Sequence, residues 1–135
     1  MRPSRIHKVI SIYMIIGVIF FPACARVSQG QETGADVNIE LTVDPSPATI
    51  GEATLHFELR DAQGQPIEGA SLSAKGDMSH AGMMPVLGDS EAIGDGNYSV
   101  PFGWTMAGDW ILTVTGELPD GQSINRTFEL TVSSE

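Results

Sequence analysis

The feature that most limits what this chain can fold into is an apolar pattern with a period of two, repeated along its length. Val37, Ile39, Leu41 and Val43 alternate with Asn38, Glu40 and Thr42. Successive side chains of a strand point to opposite faces, so this pattern specifies one buried and one wetted face. The run from Ala53 to Arg60 repeats it, with Leu55, Phe57 and Leu59 on one side and His56, Glu58 and Arg60 on the other. Ala70, Leu72 and Ala74 alternate with Ser71, Ser73 and Lys75, and Gly76-Asp77 is expected to close that strand. Val86 to Ile93 is a weaker strand candidate. Tyr98, Val100, Phe102 and Trp104 form a fifth face, Trp110, Leu112 and Val114 a sixth, and Phe128, Leu130 and Val132 a seventh.

Turn chemistry separates these runs. Asp44-Pro45-Ser46-Pro47, Asp61-Ala62-Gln63-Gly64, Gly94-Asp95-Gly96-Asn97, Thr105-Met106-Ala107-Gly108 and Pro119-Asp120-Gly121-Gln122 all supply residues that favour tight turns. No run carries a helical period. Seven short strands in about a hundred residues point to an all-β fold, an immunoglobulin-like seven-stranded antiparallel β-sandwich over residues 37–135. One cysteine cannot form an internal disulfide, so the core must hold by packing. Phe57, Tyr98, Phe102, Trp104, Trp110 and Phe128 are its expected bulk.

The chain ahead of this domain has a different composition. Arg2, Arg5 and Lys8 precede the 13-residue apolar run from Val9 to Phe21, and Pro22-Ala23-Cys24-Ala25 follows. A membrane helix needs about 20 apolar residues, so residues 1–23 read as a signal peptide. Cys24 stands where a bacterial lipoprotein is cleaved and acylated, although Ala23-Cys24-Ala25 also fits a plain signal peptidase. Residues 24–36, rich in Gly, Gln, Ser and acid, read as a flexible tether. The expected place of the domain is therefore the outer face of a bacterial membrane, in the periplasm or at the cell surface, held by lipid.

Loss of residues 1–23 leaves four basic against 17 acidic side chains, a net charge of −13. Such a surface repels phosphate backbones, which argues against nucleic-acid partners, and it favours a soluble monomer.

Methionine placement carries the chemistry. Met78, Met83, Met84 and Met106 are the four methionines beyond the signal, and none is expected on the inward face of a strand. Three of them share one loop with His80. Consecutive antiparallel strands send alternate loops to the same end, so this loop can face Met106, and His56 is expected near that end as well. Thioether sulfur with imidazole suits Cu(I), whereas Ca²⁺ or Mg²⁺ would take carboxylates and carbonyls. Outside the cytoplasm methionine offers a soft ligand that cannot cross-link by oxidation. Protonation of the imidazole in acid would weaken such a site. The plain alternative is that Met83, Met84 and Pro85 cover one end of the core while His80 is solvated.

The segments Asp61-Ala62-Gln63-Gly64-Gln65-Pro66-Ile67-Glu68-Gly69-Ala70, Asp77-Met78-Ser79-His80-Ala81-Gly82-Met83, Gly96-Asn97-Tyr98 and Met106-Ala107-Gly108-Asp109-Trp110 resemble the YtkA-like domain family over about residues 37–133. The resemblance implies a small exported β-sandwich, often a lipoprotein or part of a copper-handling protein. It carries over a Met/His loop, here Met78, His80 and Met83, and the methionine before Gly-x-Trp, here Met106. Met84 and His56 have no counterpart in that pattern.

The expected function is an envelope-anchored copper-binding or copper-relay domain. Its candidate ligands are Met78, His80, Met83, Met84 and Met106, its lipid site is Cys24, and its partner is a copper-handling envelope protein. The competing class is a metal-free interaction module that uses the same loop through flexible methionine contacts. Catalysis is not expected, because with Cys24 at the anchor no thiol nucleophile remains and no Gly-x-Ser-x-Gly elbow is present. Asn125-Arg126-Thr127 reads as surface alternation.

Overall fold

The computed structural model describes residues 36–80 and 82–135, together with two short pieces of backbone further upstream. The strands are β1 (Ser28–Gln29), β2 (Thr33–Gly34), β3 (Val37–Asp44), β4 (Gly51–Asp61), β5 (Ser71–Met78), β6 (Val86–Asp89), β7 (Glu91–Gly94), β8 (Asn97–Trp104), β9 (Gly108–Glu117) and β10 (Ser123–Val132). The described residues contain no helix, and none is long and apolar enough to cross a membrane.

The strands form two antiparallel sheets. One runs β3-β4-β8-β7 and the other β10-β9-β5-β6, with β1 and β2 added to the outer edge of β10. This is the A-B-E-D and G-F-C-C′ order of an immunoglobulin-like sandwich, so the expected fold class holds. Alternating residues of both sheets meet in one core, in which Ile39, Leu55, Phe57, Leu59, Leu112 and Val114 are buried. All six expected aromatics are buried too, and Phe57 and Phe128 pack across the sheets at 6.3 Å between ring centroids.

Three elements differ from the sequence reading. The weak strand from Val86 to Ile93 splits at Ser90, with β6 pairing with β5 and β7 pairing with β8 in the opposite sheet. Ser90 marks the crossing, where its backbone N–H donates to Leu72 O at 2.9 Å while its Oγ accepts from Leu72 N at 3.0 Å. The crossing chain lies so close to β8 that a Cβ on Gly88 would come within 2.6 Å of Val100 and 2.8 Å of the Pro101 carbonyl.

Secondly, β5 does not stop at Gly76-Asp77 but continues to Met78. Gly76 is a packing position rather than a terminator, because a Cβ there would lie 2.7 Å from Phe102 Cζ and 3.3 Å from the Trp110 ring. Met78 consequently continues the inward row of Leu72 and Ala74 and packs, half-buried, against the core. The expectation that no methionine faces inward fails at this one residue.

Thirdly, Arg126 is buried rather than on the surface, in register with Ile124 and Phe128, and its Nη2 donates to Val37 O at 2.9 Å. The hydrogen bond compensates part of the cost of burying a guanidinium on the inward face.

The signal peptide and Cys24 lie outside the described residues. Within the stretch read as a tether, Ser28 and Gln29 pair with Glu129 and Phe128, while Thr33 and Gly34 pair with Asn125 and Ile124.

Candidate functional site

Strand register places the methionine-bearing loops together. Met78 pairs with Trp110 across β5 and β9, and Gly108 starts β9 opposite Val132, the last residue of β10. Trp104 ends β8 opposite Gly51, the first residue of β4. The segments 45–50, 79–85 and 105–107 therefore leave the sandwich at one end. Three backbone hydrogen bonds tie them to neighbouring chain, Ser79 N to Asp109 O at 3.2 Å, Ile50 N to Ser133 O at 3.0 Å and Ser133 N to Ala48 O at 2.9 Å.

An aromatic floor closes the core beneath this end. Phe102 meets Trp104 edge-on at 4.8 Å, and Trp104 meets Trp110 at 5.2 Å. The Trp110 indole N–H donates to Met106 O at 3.0 Å, so the buried ring fixes the backbone of the residue that carries the exposed thioether. The indole N–H of Trp104 is also buried, and it has no hydrogen-bond partner. An unpaired buried donor costs about 1–3 kcal/mol, so this floor is apolar enough to leave one polar atom unsatisfied.

The candidate ligands fall into two groups above the floor. His80, Met83, Met84 and Met106 are exposed, with Met83 at 37%, Met106 at 47% and Met84 at 86% of full accessibility. Met78 is half-buried, and its methyl lies 3.0 Å from where a Cβ of Gly108 would stand. Burial of hydrophobic side chains is the rule for cores, so three exposed methionines at one tip are not core filler. Ile50, exposed at 46%, shares this end and escaped the sequence reading, which saw only a proline-rich turn around it.

His56 does not reach this end. Because β4 begins at Gly51, His56 lies five residues inside it, between Thr42 and Ser99, about 17 Å from the tip at the ~3.4 Å rise of a strand. Among the described residues no three His, Cys, Asp or Glu side chains converge. The ligand chemistry available at the tip is thus thioether with a single imidazole, a soft set.

No curated protein matches the chain. Among solved structures, the soluble domain of PmoD from Methylocystis sp. ATCC 49242 (Rockwell) is similar at 17% identity, covering 73% of this chain and 98% of that one with a TM-score of 0.49. The model of the YtkA-like family matches residues 31–115, which include β3 through most of β9 and all four methionines of the tip. The chain belongs to the YtkA-like family.

Proposed function

We propose that this domain binds and hands over copper at the outer side of a bacterial membrane, held there by lipid on Cys24. The observation that carries the reading is the register Met78 to Trp110 together with the Trp110 to Met106 hydrogen bond, which brings both methionine-bearing segments to one end. His80, Met83, Met84 and Met106 supply the donors, while half-buried Met78 backs them. Cu(I) is the fitting cargo because thioether and imidazole are neutral donors suited to it, and unlike thiols they form no disulfides in an oxidising compartment. Exposure of the sulfurs suits transfer rather than storage, since a partner's ligands can approach the ion before the domain's own leave. Binding and transfer require no general base or nucleophile.

The test is Cu(I) titration of the purified domain under reducing conditions, beside a His80→Ala, Met83→Ala double variant. At least a tenfold loss of affinity, about 1.4 kcal/mol, is expected for the variant. Equal, weak uptake by both proteins would instead favour metal-free docking through the same loop. The anchor is tested separately by the mass of the protein extracted from membranes: acyl chains on Cys24 are expected, and a mature chain starting at Arg26 would refute them.

A further inference from the structure

The pairing of β1 with β10 determines which end of the sandwich the anchor can reach. Ser28 lies opposite Glu129, and β1 runs antiparallel to β10, so the N-terminal end of β1 points toward the methionine-bearing tip. From the level of Glu129 the tip, at Val132, is three residues or about 10 Å away, and the opposite end, at Ser123, is six residues or about 20 Å away. Cys24 precedes Ser28 by four residues, which span at most ~14 Å when fully extended. The Cα of Cys24 can therefore reach the plane of the tip, while it stops short of the level of Ser123 at the opposite end.

Charge supplies a second, independent observation. In a chain with 17 acidic residues, the segments 45–50, 79–85 and 105–107 hold no Asp, Glu, Lys or Arg. The acids that border them are Asp77, ion-paired with Lys75 at 2.9 Å, Asp109, which accepts from Thr131 Oγ1 at 2.8 Å, Asp44 at the end of β3, Glu52 at the start of β4 and Glu135 beyond β10. The opposite end carries Asp61, Glu68, Asp95, Glu117 and Asp120 at its strand ends and turns. At the far end Glu68, Asp95 and Asp120 stand on the turns themselves and face any anionic lipid first, whereas the tip keeps its acids back at the strand ends and presents charge-free loops whose exposed side chains include Ile50, Met83, Met84 and Met106.

We infer that the Met/His tip faces and touches the lipid bilayer that holds the anchor, with the acidic end turned outward. This rests on the acylation of Cys24 proposed above. The tether then acts as an orienting strap along the β10 edge, so that any ion held at the tip is exchanged at the membrane surface rather than in bulk solution.

The test uses the acylated chain purified from membranes, its acyl mass verified, and reconstituted in phosphatidylcholine vesicles containing a lipid-borne spin-label quencher. A fluorophore is attached through Met84→Cys in one preparation and Asp120→Cys in another. Loss of fluorescence is expected at position 84 and none at position 120. Equal quenching at both positions, as when the tip meets solvent or another protein instead, overturns the inference. A Ser28→Pro, Gln29→Pro variant, which removes the donors of β1, is expected to erase the difference, and a difference that survives would mean the strap does not orient the domain. A domain that takes up Cu(I) but shows no difference loses the orientation and keeps the copper reading. One that shows the difference without Cu(I) uptake does the reverse, and a chain without acyl groups loses the anchor and the orientation together.

Discussion

The two ends of this sandwich are built on opposite terms. At the acidic end, side chains hold the backbone: Tyr98 Oη donates to Ile67 O at 2.8 Å and accepts from Ala70 N at 3.1 Å, and Asp61 Oδ1 accepts from the N–H groups of Gln63 and Gln65. Glu68 accepts from Asp95 N, and Asp120 from Gln122 N, so the turns of this end are braced by polar side chains of the same end, Asp61 and Asp120 within their own turns and Tyr98 and Glu68 across to a neighbouring one. At the Met/His end the bracing comes from below, from a layer of buried rings on which uncharged loops rest. A turn that uses its polar side chains to hold itself has none to spare for a ligand. Loops supported by apolar packing can leave imidazole and thioether groups facing outward, which is why the functional chemistry belongs to that end.

Predictions that break this contrast begin with the floor itself. Trp110→Ala removes a buried ring from both the Trp104 contact and the Met106 hydrogen bond, and a loss of about 3–5 kcal/mol is expected in denaturant unfolding. Should the cost fall near zero, the floor does not support the tip. Gly76→Ala pushes a methyl group into the Phe102 and Trp110 rings and should cost about 1–3 kcal/mol by overpacking. Unfolding midpoints of that variant check the claim that Gly76 is a packing residue and not a strand terminator.

At the braced end the corresponding change is smaller. Tyr98→Phe keeps the ring and deletes only the hydroxyl that joins Ile67 O to Ala70 N, so about 1–2 kcal/mol is expected, with the damage confined to residues 62–70 in hydrogen exchange. Smaller again is Trp104→Phe. Its indole N–H is already unpaired, so losing it relieves part of the cost of the lost ring volume, and the variant should be more stable than Trp110→Phe by about 1 kcal/mol.

Most of this architecture was legible because period-two alternation is a direct print of burial: Val37 to Val43 and Tyr98 to Trp104 face the core as their spacing says. The hairpin at Asp95-Gly96 was equally plain, with positive φ at both residues as a two-residue turn of type I′ requires. What escaped depends on contacts made far along the chain. Gly76 looks like punctuation until the rings of Phe102 and Trp110 are brought against it, and Ser90 looks like the middle of one strand until its two halves join different sheets. Arg126 has the right register for the core, but its charge argues for the surface unless the Val37 carbonyl is known to meet it. For the tip, loop topology alone brought the Met78 to Met84 stretch to the end that holds Met106. It could not tell half-buried Met78 from exposed Met84, nor keep His56 from the wrong part of its strand.

The smallest expected effect on stability is also the one that separates the ends most sharply. Met84 is exposed at 86% and His80, four residues earlier, is exposed too, so neither side chain has much burial to lose. Met84→Ala and His80→Ala should each leave unfolding free energy within about 0.5 kcal/mol of the parent, as surface substitutions do. Equilibrium unfolding of the metal-free domain measures this, and the same samples give Cu(I) uptake. A residue retained for packing loses stability and keeps function when truncated, whereas a ligand does the opposite. If both variants lose more than about 1 kcal/mol, the loop is a plug over the aromatic floor and the contrast between a braced end and a working end fails.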